Sequence, residues 1–351
     1  MVLIIAHHYV VNSGLMRAIE DNPTSPSSIP LLLLGAWGKT GINCFVLITG
    51  YFMCKANYTL RKLLKLYLQV LFYTVIIYSI FLMCGHETVA IKRLFQVLVP
   101  IFDLTSNNFV GCFIVFYLFI PFLNILINTL NKKSHGELVI LFVVCYSVLP
   151  TLSFKLPINY IGWFSVLYLI ASYIRLYGFP ITVTHRLWGV ITICEILLSS
   201  VSILILMWGY TRQLLPSVYM SYFFLTDANK LLPLLIGVSS FMYFKDLKIP
   251  YSRIINILGA ATFGVLLIHT NSDAMRHWLW KETVNSVGHF GNDIFITLGY
   301  AFFSILTIFI ICSSIEWFRA TYIESSIMTS SERILKRVFF WLKLKLKKQQ
   351  L

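Results

Sequence analysis

The sequence predicts an all-α integral membrane protein of about ten transmembrane helices, on three observations. Only 12% of its 351 residues are charged while 58% are hydrophobic, and the mean hydropathy is +0.79; a soluble domain carries about a quarter charged residues. The apolar residues fall in uniform runs near the ~20 residues that a helix needs to cross ~30 Å of hydrocarbon. Those runs lack the two-residue alternation of a membrane β-barrel, which leaves helices to satisfy the backbone in lipid.

The runs justify the spans in chain order. Span 1–11 (MVLIIAHHYVV) is apolar but only half the needed length, so the first helix reads as truncated. Span 31–54 follows the polar stretch RAIEDNPTSPSSIP and stops at Lys55; span 63–83 begins behind Arg61 and Lys62. Span 109–130 runs from a pair of asparagines to Asn131, Lys132 and Lys133, and 137–153 follows that basic turn. Span 160–177 ends at Gly178 and Pro180, both poor helix continuers. Spans 186–209, 230–244, 253–271 and 293–318 complete the ten, separated by short loops carrying most of the charge. One loop segment, IKRLFQVLVPIF, has the composition of an amphipathic piece lying along the interface.

The formal charge of +14 comes from lysines and arginines that flank the spans, so it indicates a membrane surface and no nucleic-acid partner. With the N-terminus inside, nineteen of the basic residues lie on the cytoplasmic side and nine outside, which predicts an N-in, C-in topology. The tail ERILKRVFFWLKLKLKKQQL combines aromatics with lysines and suits a basic amphipathic helix on anionic membrane lipids. The chain thus divides into a polytopic membrane domain, 1–320, and a basic cytoplasmic tail, 321–351. Seven cysteines, an odd number with no CxxC pair, point to neither a disulfide framework nor a metal site. The start has no basic n-region and no small-residue cleavage site, so no cleavable signal peptide is expected.

Ionisable residues inside a span are costly and mark either function or a buried pair. His7, His8, Glu195 and His269 stand out on that ground. A buried histidine is more often a satisfied structural group than a catalyst, yet its unperturbed pKa near 6.5 suits proton transfer. Glu195 has no partner visible in its own span. The second span, GKTGINCFVLITGYFMCK, sets Asn43 and Thr49 at membrane depth among Gly38, Gly41 and Gly50, small residues that permit close helix packing or the passage of a ligand chain. Behind it, YTLRKLLKLYLQ places Arg61 and Lys65 four apart on one helical face.

Taken together, these stretches resemble the membrane-bound acyltransferase family 3, whose members O-acylate surface polysaccharides and related acceptors. AHHY resembles the end of that family's Arg-x10-His motif, with His8 as the histidine. TGINCFVLITGYF resembles its Gly-Val-x-x-Phe-Phe-x-x-Ser-Gly-Phe/Tyr signature: Gly41, Phe45, Gly50 and Tyr51 match, and Thr49 stands at the serine. RKLLK resembles its Arg-x3-Arg element, NNFVGCFIVFYLFIPFLN its fourth-span block with Tyr117 and Pro121, and TFGVLLIHTN its Phe-Gly-Val-Tyr-Leu-Ile-His block, with Leu266 at the tyrosine and His269 matching.

The resemblance implies transfer of an acyl group, in the first place acetyl, from acyl-CoA (acetyl-CoA as co-substrate, with no bound cofactor) to a hydroxyl of a glycan or lipid-linked glycan in a bacterial plasma membrane. It implies His8 as the general base and Arg61 and Lys65 as the cations that hold the donor's phosphates. His269, Asn271 and Arg276, toward the outer side, would orient the acceptor or stabilise the oxyanion. His7, Asn43, Thr49, Tyr51 and Glu195 are supporting residues. The motif arginine falls eleven positions before His8, upstream of Met1, which leads us to expect that Met1 is an internal methionine of a longer gene. The rival readings are a polysaccharide exporter or flippase, which ten spans and small loops also suit, and an acyltransferase disabled by the missing arginine.

Overall fold

A computed structural model describes residues 1–102, 108–154 and 159–333. They form helices and connecting turns, with no strand among the described residues. The helices are α1 (Val2–Val11), α2 (Leu15–Asp21), α3 (Ser28–Gly35), α4 (Gly38–Met53), α5 (Leu60–Met83), α6 (Ile91–Leu98), α7 (Phe109–Thr129), α8 (Lys132–Val143), α9 (Leu149–Thr151), α10 (Tyr160–Tyr177), α11 (His185–Thr211), α12 (Leu231–Lys245), α13 (Arg253–His269), α14 (Asp273–His277) and α15 (Ile294–Phe318).

The starts of these helices obey local chemistry. Side-chain oxygens of Thr59, Asn108, Asn131, Asn159, Thr184, Ser252, Ser272 and Asp293 accept hydrogen bonds from the first-turn amides of α5, α7, α8, α10, α11, α13, α14 and α15. Each cap satisfies an amide that the helix itself leaves without an acceptor.

Six helical segments are long and apolar enough to cross a membrane, or up to eight if two bent pairs each count as one span. The sequence reading of about ten is therefore larger than the lengths support. One bent pair is α1 with α2, turned by 50°; the other is α13 with the segment 273–289, turned by 96°. The difference has a physical origin: α12, at 15 residues, is short for a span, and α10 carries five tyrosines and tryptophans together with Arg175. The expected interfacial segment is helical as α6, with Ile91, Phe95 and Leu98 exposed. Of the expected basic tail, residues 321–333 continue the helix of α15; the lysine-rich remainder lies outside the described residues.

Helix α10 is the hub. Ten of its residues, Trp163, Phe164, Val166 to Ser172 and Ile174, are buried, and it packs on α4, α7 and α8. Helices in lipid gain no hydrophobic drive from association, so contact geometry and interhelical hydrogen bonds hold them. Here Trp163 Nε1 donates to Asn43 Oδ1 at 2.9 Å while Asn43 Nδ2 donates to the Ala228 carbonyl at 2.7 Å. Tyr168 donates to Asn124 Oδ1 and Asn124 Nδ2 to the Met53 carbonyl, tying α10, α7 and the end of α4. Helix α1, though short, is wedged between α3, α4 and α15 with Ile5, Tyr9 and Val10 wholly buried.

Candidate active site

A cavity of about 720 Å³ opens at the end of the bundle where α4, α7 and α10 begin and α13 ends. His7 and His8 of α1, Lys39 of α4, Val70 and Thr74 of α5, Tyr160 of α10 and Thr270, Asn271 and Arg276 beyond α13 all line it.

Local sequence places the two histidines. On adjacent positions of α1 their rings point about 100° apart, their centroids 5.8 Å from each other. His7 turns toward the α3–α4 junction, where its Nδ1 meets the Gly35 carbonyl at 2.7 Å. That approach needs glycine at position 38, because a Cβ there would stand 2.4 Å from His7 Cβ. His8 turns toward α13, and its Nδ1 lies 3.2 Å from His269 Nε2.

The proton positions follow from one acceptor. The Val265 carbonyl can only accept, and His269 Nδ1 lies 2.6 Å from it, so Nδ1 of His269 carries the hydrogen. In the neutral ring Nε2 of His269 then holds a lone pair. His8 must donate to it through Nδ1–H, which leaves the lone pair of His8 on Nε2. The chain Val265 carbonyl, His269, His8 thus fixes the tautomer of a half-buried imidazole in the cavity wall and leaves one basic nitrogen without a partner among the described residues. His269 itself is fully buried, packed edge-on to Trp280.

The other expected residues divide sharply. His269 has both ring nitrogens committed, Asn271 Nδ2 donates to the Leu267 carbonyl at 3.0 Å, and Arg276 is ion-paired with Asp273; the expected oxyanion role of these three therefore lacks a free N–H on His269. Asn43 is a structural tie. Thr49 donates to the Phe45 carbonyl of its own helix at 3.0 Å. Tyr51 accepts from Arg175 and lies under its guanidinium, 4.6 Å from ring centre to Cζ, at the far end of α4. Glu195 accepts from the Ser239 hydroxyl at 2.5 Å and has no ion pair among the described residues. Arg61 and Lys65 also sit at the far end, near the start of α5, paired with Glu332 at 3.0 Å and Glu324 at 2.6 Å. Helix α4, about 24 Å long by its rise, separates the two ends.

Sequence reasoning overlooked a second polar cluster. Glu316 and Arg319, 3% and 4% exposed, form a two-pronged pair at 2.8 Å on both prongs. Tyr73 and Gln69 of α5 donate to the same carboxylate at 2.7 and 3.0 Å, and Arg319 reaches on to Glu324. Gly264 makes room, since a Cβ there would lie 2.4 Å from Glu316 Oε2. The signal was available: an acidic residue closing a long apolar run, with arginine three positions on.

The signature blocks of the sequence meet in space, with Phe45 of α4 stacked on Phe263 of α13, centroids 6.1 Å apart. No curated protein and no solved structure matches the chain. A family model described as an acyltransferase domain, that of acyltransferase family 3, matches residues 1–317, nearly the whole chain. This protein belongs to acyltransferase family 3 and is a multi-pass membrane acyltransferase.

Proposed function

We propose that the protein transfers an acetyl group from acetyl-CoA to a hydroxyl of a surface polysaccharide, or its lipid-linked precursor, at a bacterial plasma membrane, with His8 as general base. The observation that carries this reading is the tautomer relay: a carbonyl-anchored His269 holds His8 so that one unused basic nitrogen belongs to a cavity wall. With the N-terminus inside, the cavity opens outward to the acceptor. Arg61 and Lys65, at the opposite end, are on the donor's side. The exposed Arg61–Glu332 pair is worth about 1 kcal/mol or less, so a donor phosphate can displace that carboxylate, while Lys65, which shares the half-buried Glu324 with Arg319, keeps further N–H groups for a phosphate.

The reaction follows from these placements. Nε2 of His8 takes the proton of the acceptor hydroxyl as the oxygen attacks the thioester carbonyl. The imidazolium formed is stabilised through Nδ1–H by His269. When the tetrahedral intermediate collapses, the C–S bond breaks, and the proton passes from His8 to the departing thiolate, giving the acetyl ester and free CoA. A positioned base of this kind contributes about 10²- to 10⁴-fold.

Mass spectrometry of surface glycan from cells with and without the gene tests the proposal. Loss of an acetyl mass from intact polymer is the expected result. Loss of the whole polymer would instead point to export, and an unchanged glycan would remove polysaccharide as the acceptor.

A further inference from the structure

The charges of the cavity do not balance. Among the described residues, four ionised side chains line it: Lys39, Arg93, Arg276 and Asp273. Arg276 is paired with Asp273, and Arg93 with Glu87 at 3.4 Å. Lys39 has no carboxylate partner among the described residues; its ammonium donates to the Tyr160 hydroxyl at 3.3 Å. A half-buried ammonium with a phenol as its partner is incompletely compensated, and it retains two further N–H groups. The phenol, having accepted from Lys39, keeps its own O–H to donate and has no acceptor among the described residues.

Both groups are held in place from behind. The Tyr160 ring is stacked on Phe164, centroids 5.3 Å apart, and meets Phe109 edge-on. Lys39 follows Gly38, the residue packed against His7, on the first turn of α4. The result is two donors, one charged, in the same cavity as His8, the phenol packed between rings and the ammonium hydrogen-bonded to it. We propose that this cavity takes an acceptor bearing a negative charge, a phosphate or a carboxylate, and that Lys39, steadied by Tyr160, binds that group. The proposal rests on the acyltransferase reading in naming the ligand an acceptor. The charge preference itself is measured without any acyl donor.

The test is calorimetric titration of the detergent-purified protein with glucose 1-phosphate, glucuronate and glucose. One of the two anionic sugars should bind about tenfold or more tightly than glucose, the range of a hydrogen bond to a charged group. Preference for the phosphate indicates a lipid-phosphate-linked acceptor, and preference for the carboxylate an acidic sugar. Lys39→Gln should erase the preference, Lys39→Arg should keep most of it, and Tyr160→Phe should weaken it several-fold. Glucose bound as well as both anions, or a preference that survives in Lys39→Gln, overturns the proposal.

Should Lys39→Gln not fold, the wild type decides by salt dependence. Between about 0.01 M and about 1 M salt the screening length falls from about 30 Å to about 3 Å, and anion binding that does not weaken overturns the proposal. Asp103 lies in sequence between Pro100 and Asn108, both cavity-lining, and is itself outside the described residues. Anion binding that strengthens about tenfold in Asp103→Asn would show that the chain itself neutralises Lys39, and it too overturns the proposal. A failure of the acyltransferase reading appears separately, as unchanged surface glycan.

Discussion

Two buried polar clusters sit side by side in this bundle and differ in one respect. Around Glu316 both carboxylate oxygens are taken, by Arg319, Tyr73 and Gln69. Around His8 the bonding stops one atom short: Val265 fixes His269, His269 fixes His8, and the far nitrogen of His8 is left for something else. The clusters share helices, since Gly264 and His269 are both on α13 and are about 7.5 Å apart along its axis. A saturated network joins α5 to α15 and ties them together; the unsaturated one is where we propose the base. The difference predicts which substitutions remove activity and which remove the fold.

The largest effect belongs to the unsaturated cluster. His8→Ala should lower acylation by about 10²- to 10⁴-fold while leaving membrane level and thermal unfolding near wild type. His269→Gln, which keeps an acceptor for His8 Nδ1–H, should cost less than His269→Ala, and mainly in kcat. A His8→Ala protein that still acylates glycan at the wild-type rate would remove the base assignment.

The saturated cluster should respond the other way. Glu316→Met leaves Arg319 buried beside a single carboxylate, Glu324, and breaking a buried pair costs about 3–5 kcal/mol. The double change Glu316→Met with Arg319→Met should recover much of that loss, because two apolar groups replace both charges. Thermal unfolding in detergent reads both variants. If Glu316→Met instead lowers activity alone and unfolds like wild type, the network is part of the chemistry and the contrast between the clusters fails.

Between these extremes stands Asn43, whose amide oxygen is engaged by Trp163 of α10 and whose amide nitrogen donates to the turn before α12. Asn43→Ala should destabilise by about 1–3 kcal/mol, from the interhelical bond to Trp163 and the bond to the Ala228 carbonyl in the turn before α12, each worth about 0.6–1.7 kcal/mol, with kcat of the folded fraction unchanged. At the donor end the effects should be smaller in energy and visible in KM. Arg61→Gln and Lys65→Gln should each raise the donor KM several-fold at low salt, and less at high salt as screening weakens phosphate attraction.

Much of this was legible in the sequence, and what was hidden has a common cause. The helical class and the amphipathic helix of α6 follow from composition and local rules. The identity of His8 and His269 as residues of interest followed from the expense of ionisable groups in lipid. That they touch did not, because 261 positions separate them and only the packing of α1 against its neighbours brings them together. Asn43 stands out in the sequence only as a polar residue in a glycine-rich span, because its partners, Trp163 of α10 and Ala228 of the turn before α12, are distant in the chain. Glu316 went unnoticed because its place near the end of α15 reads as a helix terminus, whereas the Arg319 fork and Gly264 make that terminus interior. The difference between about ten expected spans and the six to eight helices that are long and apolar enough rests on short runs such as the 15 residues of α12, which look the same whether they cross a bilayer or pack inside a bundle.

Thr49 offers the smallest effect and a sharp discrimination. It occupies the serine position of the Gly-x-x-x-Phe-x-x-x-Thr-Gly-Tyr stretch, where a hydroxyl invites a catalytic reading. Its oxygen instead donates to the Phe45 carbonyl one turn back on its own helix. In that arrangement the hydroxyl satisfies itself without contacting another helix, and exchange for a smaller side chain removes a local bond that its helix does not need. Position 49 is also absent from the lining of the cavity that holds His8. Thr49→Ala should therefore change stability by about 0.5 kcal/mol or less and leave acyl transfer within two-fold of wild type, where Asn43→Ala, six positions earlier on the same helix, unfolds the protein measurably. A loss of activity in Thr49→Ala at unchanged stability would show that the hydroxyl turns outward to substrate. The division between self-satisfied and unsatisfied polar groups would then no longer separate structure from chemistry in this bundle.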